Sequence, residues 1–540
     1  MKTIIENSLN NTLKNLNMPV VEFSLQIPKN KEHGDLATNI AFLLSKKIGD
    51  NPLNIATEIK TELEKTNLFS EVSIANPGFI NMRINPEAIV DNLNFIISKE
   101  NKYGANNSGE GKKILLEFVS ANPTGPLTVG HGRGAILGDC LKEILSWNGF
   151  DVDTEYYYNN AGRQMRILAE SVLARYNEIN GQEFNFPEDG YQGEYIKEIA
   201  SNFKTECGDK VSDKEINKFK DFSENQIFTD IKSTLKDIGI IFNSFFNENT
   251  LYENKNIYSV IDRLKEKDLI YEKDGATWLK ATAMGGKQDR VYIKSSGEPT
   301  YRLPDTAYHR EKIERGFDLV VDIFGADHAD SYPDVLAALA ALDLRTDHIR
   351  VLLYQFVTLL RGKEKIKMST RMGDFITLDD LMNEISHDVV RYFFIMRSMN
   401  SHLDFDLDLA KDQSEKNPVF YLQYAHARIC NIIKHGMNTD HEINKNFGPG
   451  LLSHEDEIRL MKQLVYFPEI IEIALESLEP QGIANYLQEL AARFHKFYGK
   501  CRVITENEPL SQARLGLISS VRIVLSSGLS ILGISAPDRM

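Results

Sequence analysis

EFVSANPTGPLTVGHGRGAILGD, residues Glu117–Asp139, is the stretch whose reading decides the fold. Just upstream, Ile114 to Val119 is an apolar run of the kind that forms a buried strand. Downstream, Ala135, Ile136, Cys140, Leu141, Ile144 and Leu145 fall on one helical face. Between them lie Pro123, Pro126 and the glycines Gly125, Gly130, Gly132 and Gly134. A strand, a Gly-rich turn and a helix N-terminus make a natural seat for phosphate, because backbone N–H groups point outward and missing side chains let a ligand approach. His131 sits at the predicted helix start, where it can donate to a phosphoryl oxygen with help from the helix dipole. The turn alone fits a purely structural Gly-rich corner equally well, since short glycine motifs are weak signals.

The surrounding totals set bounds. At 540 residues the chain has room for roughly three or four domains. Hydrophobic residues make up 42% and charged ones 26%, an ordinary globular composition. A net charge of −15 argues against a general nucleic-acid coat but allows a local basic path. Cys140, Cys207, Cys430 and Cys501 are far apart in sequence, which suggests neither a disulfide framework nor a zinc knuckle and fits a reducing, cytoplasmic setting. The N-terminus lacks an apolar signal core, and no window is expected to reach the ~20 apolar residues of a membrane span.

Working outward, residues 1–100 read as a small α+β unit. Ile4, Ile5, Leu9, Leu13 and Leu16 form a helical stripe, Val20 to Leu25 alternates like a strand, and Asp35 is placed to cap a helix. Val72–Ile74 and Phe79–Met82 flank Asn76-Pro77-Gly78 as a strand pair. The polar, Gly- and Asn-rich segment 101–113 reads as a linker. Beyond the opening turn, Val152 to Tyr158 is a second strand, and 163–290 reads as a mostly helical insertion between two halves of a nucleotide-binding fold. Strands resume at Arg290–Ile293, at Leu319–Phe324 and at Ile349–Tyr354. Ligands of open α/β sheets sit beyond the carboxyl ends of the strands, so Asn122, Asn159 and Asp327 are expected to converge on one crevice. Thr377 with Asp380 makes a capping box, after which the chain turns helical.

A second chemical signal is Lys367-Met368-Ser369-Thr370-Arg371, a compact basic loop preceded by Arg361, Lys363 and Lys365. Lysine and serine can hold a leaving pyrophosphate as its charge develops. By itself such a charge run is more often a solvated surface loop.

Together, the GH turn at the first strand–helix junction and the KMSTR loop resemble the HIGH and KMSKS signatures of class I aminoacyl-tRNA synthetases. The blocks YNNAGRQM (158–165), TYRLPDTAYH (300–309), FGADHAD (324–330), HDVVRYFF (387–394) and NPVFYLQYAHARIC (417–430) narrow the resemblance to arginyl-tRNA synthetase. HGDLATNIAFLLSKKIG (33–49) and ILGISAPDRM at the end look like that family too. The first HIGH histidine is replaced: the tetrad is Thr128-Val129-Gly130-His131.

The resemblance implies an α/β fold: a Rossmann-like catalytic domain over 106–375, with the helical insertion about 163–290. An N-terminal α+β domain (1–105) contacting tRNA, connecting helices (376–410) and an all-α anticodon-binding bundle (411–540) would complete it. It implies an arginine–tRNA ligase that makes arginyl-adenylate from arginine and ATP, then transfers arginine to the terminal adenosine of tRNA(Arg). Mg²⁺ would accompany ATP, and no metal is bound by the protein itself. Carried over by position, His131, Lys367 and Ser369 would be catalytic. ATP would be met by Thr128, Gly130, His131, Gly132, Asp327, His328, Lys367, Met368 and Ser369. Arginine would be met by Glu117, Ser120, Asn122, Tyr301 and Asp305, the carboxylates matching the guanidinium fork. In the bundle, Tyr424 and Arg428 would face tRNA, with Tyr421 in the core. The family's usual monomer is the default, with no membrane partner. Another class I synthetase, or a tRNA-binding relative without activation, are the competing readings. Missing zinc-ligand cysteines and a short insertion weigh against the former, and intact His131 and KMSTR against the latter.

Overall fold

A computed structural model describes the whole chain except Met1, Ile27, Lys29, Lys363 and residues 367–375 and 438–447. At its centre is a parallel sheet of five strands, in spatial order Ile349–Tyr354, Leu319–Gly325, Lys113–Glu117, Asp151–Tyr158 and Ser244–Asn247. The strand order reverses between Lys113–Glu117 and Leu319–Gly325, so the crevice beyond their carboxyl ends is the natural ligand position. Ile114, Leu116, Val320 and Val321 are fully buried, as strands covered on both faces require.

The helix Val129–Trp147, called the signature helix below, follows the turn and buries Ala135, Ile136, Cys140, Leu141 and Ile144. Three of its glycines are there for packing. A Cβ on Gly132 would lie 2.7 Å from Leu378, one on Gly134 2.9 Å from Tyr354, and one on Gly138 2.2 Å from the Phe118 ring. The helix is held at its far end by Arg391, which is 2% exposed. That guanidinium donates to Asp139 Oδ2 (2.5 Å), Ile238 O and Leu532 O (both 3.0 Å). One side chain thereby joins the helix, the insertion and the C-terminal segment.

Several expectations need correction. Arg290–Ile293 is not in the parallel sheet; it pairs antiparallel with Ala276–Leu279 in a separate three-stranded sheet. The edge strand Ser244–Asn247 lies inside the stretch read as a helical insertion; its residues are only half-buried, which left no apolar run to see. Around it the insertion is helical, with Gly162–Ile179, Glu194–Cys207 and Ile216–Asp237. In the N-terminal unit, Leu36–Thr38 is a strand, paired with Phe79–Ile84, and the helix starts at Ile40. Asp35 caps nothing: it accepts from the Ile84 amide and from Lys462 Nζ of the C-terminal bundle (2.5 Å). The segment 101–113 is docked rather than free, since Tyr103 is buried with its hydroxyl on Leu464 O, and Asn106 Nδ2 donates to Asn148 Oδ1 at 2.7 Å.

The C-terminal region is helical, with Pro418–Met437, Glu455–Val465, Phe467–Ser477, Gln481–Lys500 and Glu508–Ile531. Contrary to the sequence expectation, Glu508–Ile531 is long and apolar enough to cross a membrane by length and composition. It is 78% buried inside the bundle over its most apolar window, which makes it the bundle's core helix.

Gly533 has φ +65°, and a Cβ there would lie 2.1 Å from Arg391 Nη2. Arg391 cannot yield because its partners hold it on three sides. Gly533→Ala should therefore cost about 1–3 kcal/mol of stability, the usual range for overpacking. The check is a lowered urea midpoint; an unchanged one would mean Arg391 moves aside freely.

Candidate active site

The crevice at the carboxyl edge of the sheet is a cavity of ≈ 810 Å³. It gathers Glu117, Ser120, Asn122, Thr128, His131, Tyr301, Asp305, Asp327 and His328 from segments far apart in sequence. Asn159 lines it as well, so the expected convergence of Asn122, Asn159 and Asp327 is realised. Lys367, Met368 and Ser369 lie outside the described residues.

The floor of the cavity is a buried charge network. Glu117 and Asp322 are register partners on adjacent parallel strands, which sets two carboxylates side by side. Lys312, with no exposed surface, reaches between them from the helix Arg302–Glu314; it bonds Glu117 Oε2 and lies 2.6 Å from Asp322 Oδ1. His309, one turn earlier, places Nε2 3.0 Å from Asp322 Oδ2 and Nδ1 2.8 Å from Asp305 O. A carbonyl oxygen only accepts, so Nδ1 must carry a proton; the carboxylate takes a second from Nε2. Burial and Lys312 push the His309 pKa down, but Asp322 together with Glu117 outweighs them and raises it. Burial likewise opposes the charge on Asp322, yet Lys312 and His309 hold it well below the carboxylate range. Burial pushes Glu117 up, against the pull of Lys312. The other Glu117 oxygen accepts from Ser120 Oγ at 2.7 Å.

That Ser120 bond depends on a local distortion. Val119 and Ser120 both adopt positive φ, +71° and +47°. A β-branched residue there is strained, a feature that concentrates at functional sites. The kink turns the Ser120 hydroxyl back on Glu117, where it also accepts from Tyr157 N at 3.3 Å.

Above the floor stands Asp305. Its carboxylate lines the cavity and is half-buried there, and among the described residues it forms no hydrogen bond or ion pair. Burial pushes its pKa up to about 7; His309 opposes this, and Glu117 and Glu248 add to it. Glu248 is a third carboxylate on the cavity wall, accepting from Tyr157 Oη at 2.7 Å, and burial raises its pKa as well. This end of the cavity therefore has more carboxylate than cation. Tyr301, 72% exposed, stands at the mouth, one helical turn from Asp305. Asn122 is braced, with Oδ1 accepting from Asn159 N (2.9 Å) and Nδ2 donating to Gln164 (3.1 Å).

At the other end, Thr128 is the N-cap of the signature helix. Its hydroxyl accepts from His131 N at 3.4 Å, and its own N–H donates to His131 Nδ1 at 3.2 Å, a reciprocal capping box. The residue standing where a histidine was expected is thus a preferred N-cap type, and its hydroxyl is already engaged. Nδ1 of His131 receives a proton donor, so the neutral ring carries its hydrogen on Nε2. Burial lowers the His131 pKa to about 4, opposed by Asp327, so at neutral pH it is an uncharged donor. Gly130 does not line the cavity but is uncrowded: a Cβ added there would meet only the hydroxyl of Thr128, at 3.6 Å. Gly132 is not part of the cavity wall: it is buried against Leu378 and Phe394. His328 stacks on Phe324 beside Asp327.

Sequence reasoning missed Lys312, His309, Asp322, Glu248 and Tyr157. Asp305, His309 and Lys312 fall at successive helical turns, a spacing that could have marked one polar face inside an otherwise buried helix.

In the bundle, Tyr424 and Arg428 are half-buried neighbours. Arg428 lies over the Tyr498 ring at 4.5 Å and the Tyr424 ring at 5.6 Å. Tyr421, expected in the core, is half-buried against His495. His426 is buried and bonded to Pro537 O, so it faces the C-terminal segment.

Comparison with known proteins agrees with this geometry. Three family profiles match in succession: arginyl-tRNA synthetase N-terminal domain over 1–84, class I (R) tRNA synthetase catalytic domain over 92–400, and DALR anticodon binding domain over 422–540. The arginine–tRNA ligase of Salinibacter ruber is 46% identical over 539 residues, covering 96% of both chains. The chain belongs to the arginyl-tRNA synthetases. It is also 47% identical to the arginine–tRNA ligase of Desulfotalea psychrophila, covering 96% of this chain and 95% of that one. The solved Thermus thermophilus arginyl-tRNA synthetase has the same fold, with TM-score 0.79 at 21% identity over the full length of both chains. As a member of this family the chain is an aminoacyl-tRNA ligase that charges tRNA(Arg) with arginine, in a family that uses ATP.

Since Thr128 serves the cap, Thr128→Ser should leave stability unchanged and Thr128→Ala should cost about 1 kcal/mol. Thermal unfolding of the two variants checks this. Equal losses in both would mean the hydroxyl is not what caps the helix.

Proposed function

We propose that the cavity binds arginine at its carboxylate end and ATP at the Thr128–His131 end, so that the two meet over the kink at Val119–Ser120. The observation that carries the reading is Asp305: a carboxylate with no partner among the described residues, raised by burial and by two neighbouring carboxylates, on the cavity wall beside Glu117 and Glu248. A guanidinium supplies the missing charge and a matching planar fork. Glu117, held in place by Lys312 and Ser120, presents a second acceptor, and the Tyr301 hydroxyl closes over the mouth. Lysine lacks the fork and would leave acceptors unpaired. Asn122 Oδ1, fixed by the Asn159 amide, is suited to the α-amino group.

Arginine's carboxylate then attacks the α-phosphate of ATP, and pyrophosphate leaves. A ribose hydroxyl of the terminal adenosine of tRNA next takes the arginyl group and releases AMP. Neither step needs a protein nucleophile; the protein positions groups and stabilises charge. His131 donates from Nε2 to a phosphate oxygen as a neutral group. Asp327 and His328 are suited to the ribose and base. Mg²⁺ would enter on the triphosphate, which supplies its hard oxygen ligands. By resemblance, Lys367, Met368 and Ser369 hold the pyrophosphate. Tyr424 and Arg428 offer stacking and charge to an RNA loop. Four free thiols suit a reducing cytoplasm, and a monomer is the expected state.

Pyrophosphate exchange into ATP, run for each amino acid with and without tRNA, tests the reading. Exchange should depend on arginine; exchange with lysine instead would refute it. Asp305→Ala should raise the KM for arginine roughly 10- to 100-fold, the worth of a charge-assisted hydrogen bond, with little change in the KM for ATP. An unchanged KM for arginine would remove Asp305 from the pocket.

A further inference from the structure

Arg133 lies two residues beyond His131, about 200° further round the same helix, so it points away from the cavity. It is completely buried. Among the described residues it has no carboxylate partner. Its guanidinium is held by carbonyls alone: Nη1 donates to Gln355 O (2.6 Å) and Ser401 O (3.0 Å), and Nη2 to Ser398 O (3.0 Å). Burial lowers its pKa, opposed by Tyr354 and by Glu479, which is near but not in contact. A buried, unpaired charge is costly, and an apolar residue would serve better if only filling were needed.

What the three carbonyls have in common is their location. Gln355 directly follows Tyr354, the cavity-lining end of the last sheet strand, and precedes Val357–Arg361, which runs into the segment containing Lys367. Ser398 and Ser401 precede Leu403–Asp406, which pairs in parallel with Val357–Leu360. The two limbs are already tied together, since Gln355 N donates to Met399 O (2.9 Å) and Leu403 N to Phe356 O (3.2 Å). They form one unit, and Arg133 fastens that unit to the helix bearing His131.

We infer that Arg133 is a positioning residue for ATP: it sets the distance between the His131 end of the signature helix and the unit formed by residues 354–361 and 398–406. It touches neither substrate. The inference rests on the arginine-and-ATP reading given above. It predicts a split between the two substrates, because the arginine end of the cavity is built on the sheet floor and the helix Arg302–Glu314, which Arg133 does not contact.

The test is Arg133→Lys, which keeps the charge and loses the fork. Calorimetry with β,γ-methylene-ATP and, separately, with arginine gives the two affinities without turnover; pyrophosphate exchange gives the two KM values. ATP-analogue Kd and ATP KM should rise roughly 10- to 100-fold, as for a misplaced contact, while arginine affinity stays within about twofold. Arg391→Lys is the control, a buried arginine at the far end of the same helix; it should lower the unfolding temperature without splitting the affinities. Should Arg133→Lys not fold, Arg133→Gln, which still donates to a carbonyl without burying a charge, is read by the same two affinities. Equal losses for both ligands, no loss for either, or the same split in Arg391→Lys would overturn the inference. Absence of exchange in the unaltered protein would instead refute the functional reading beneath it.

Discussion

The Lys312 ammonium between Glu117 and Asp322 is the contact on which the site depends. Parallel pairing of Lys113–Glu117 with Leu319–Gly325 forces two carboxylates into register at the point where the sheet order reverses. Without a cation between them, burial would drive one to take up a proton. Lys312 opposes this on both carboxylates and His309 supplies a second positive group on Asp322, so Asp322 stays ionised while burial still raises Glu117. Removing one partner of such a buried pair typically costs about 3–5 kcal/mol, so the floor of the cavity and the stability of the sheet are the same problem.

With Lys312 and His309 set against Glu117 and Asp322, the surplus negative charge at this end of the cavity falls on Asp305 and Glu248. The signature helix stands at the other end. Thr128 and His131 satisfy the first turn, Gly132, Gly134 and Gly138 let Leu378, Tyr354 and Phe118 approach, and Arg133 and Asp139 anchor it to distant segments. A neutral His131, fixed by its own cap, can donate to phosphate without titrating near pH 7. A pH dependence of arginine use around neutrality therefore belongs to the carboxylate end of the cavity, where Asp305 has its pKa pushed up to about 7.

Much of this was legible in the sequence because its signals are local. The apolar run at 114–119, the prolines and glycines after it and the helical stripe beyond fix a strand, a turn and a helix within one short segment. The block order carried the family, and with it Glu117, Asn122, Tyr301 and Asp305. What was hidden depends on contacts across the chain. Glu117 and Lys312 are 195 residues apart, and nothing near either one announces the pairing. Glycine spacing could not tell a phosphate turn from helix packing, so Gly132 was assigned to the wrong surface. Ser244–Asn247 escaped because a half-buried edge strand shows no clean alternation. The Asn-rich 101–113 segment looked like a linker because asparagine side chains hydrogen-bond locally in loops; here they dock it on Asn148.

The central claim is that Asp305, half-buried and unpaired among the described residues, is the partner of a guanidinium. Its pKa of about 7 means that at pH 7 part of the free molecules carry a proton there. A bound guanidinium lowers that pKa and expels the proton. Arginine binding measured calorimetrically at pH 7, in buffers of differing ionisation enthalpy, should therefore release a fraction of a proton. The release should fade by pH 9 and vanish in Asp305→Asn. Binding enthalpies that are the same in every buffer, or a release that persists in Asp305→Asn, would contradict the account.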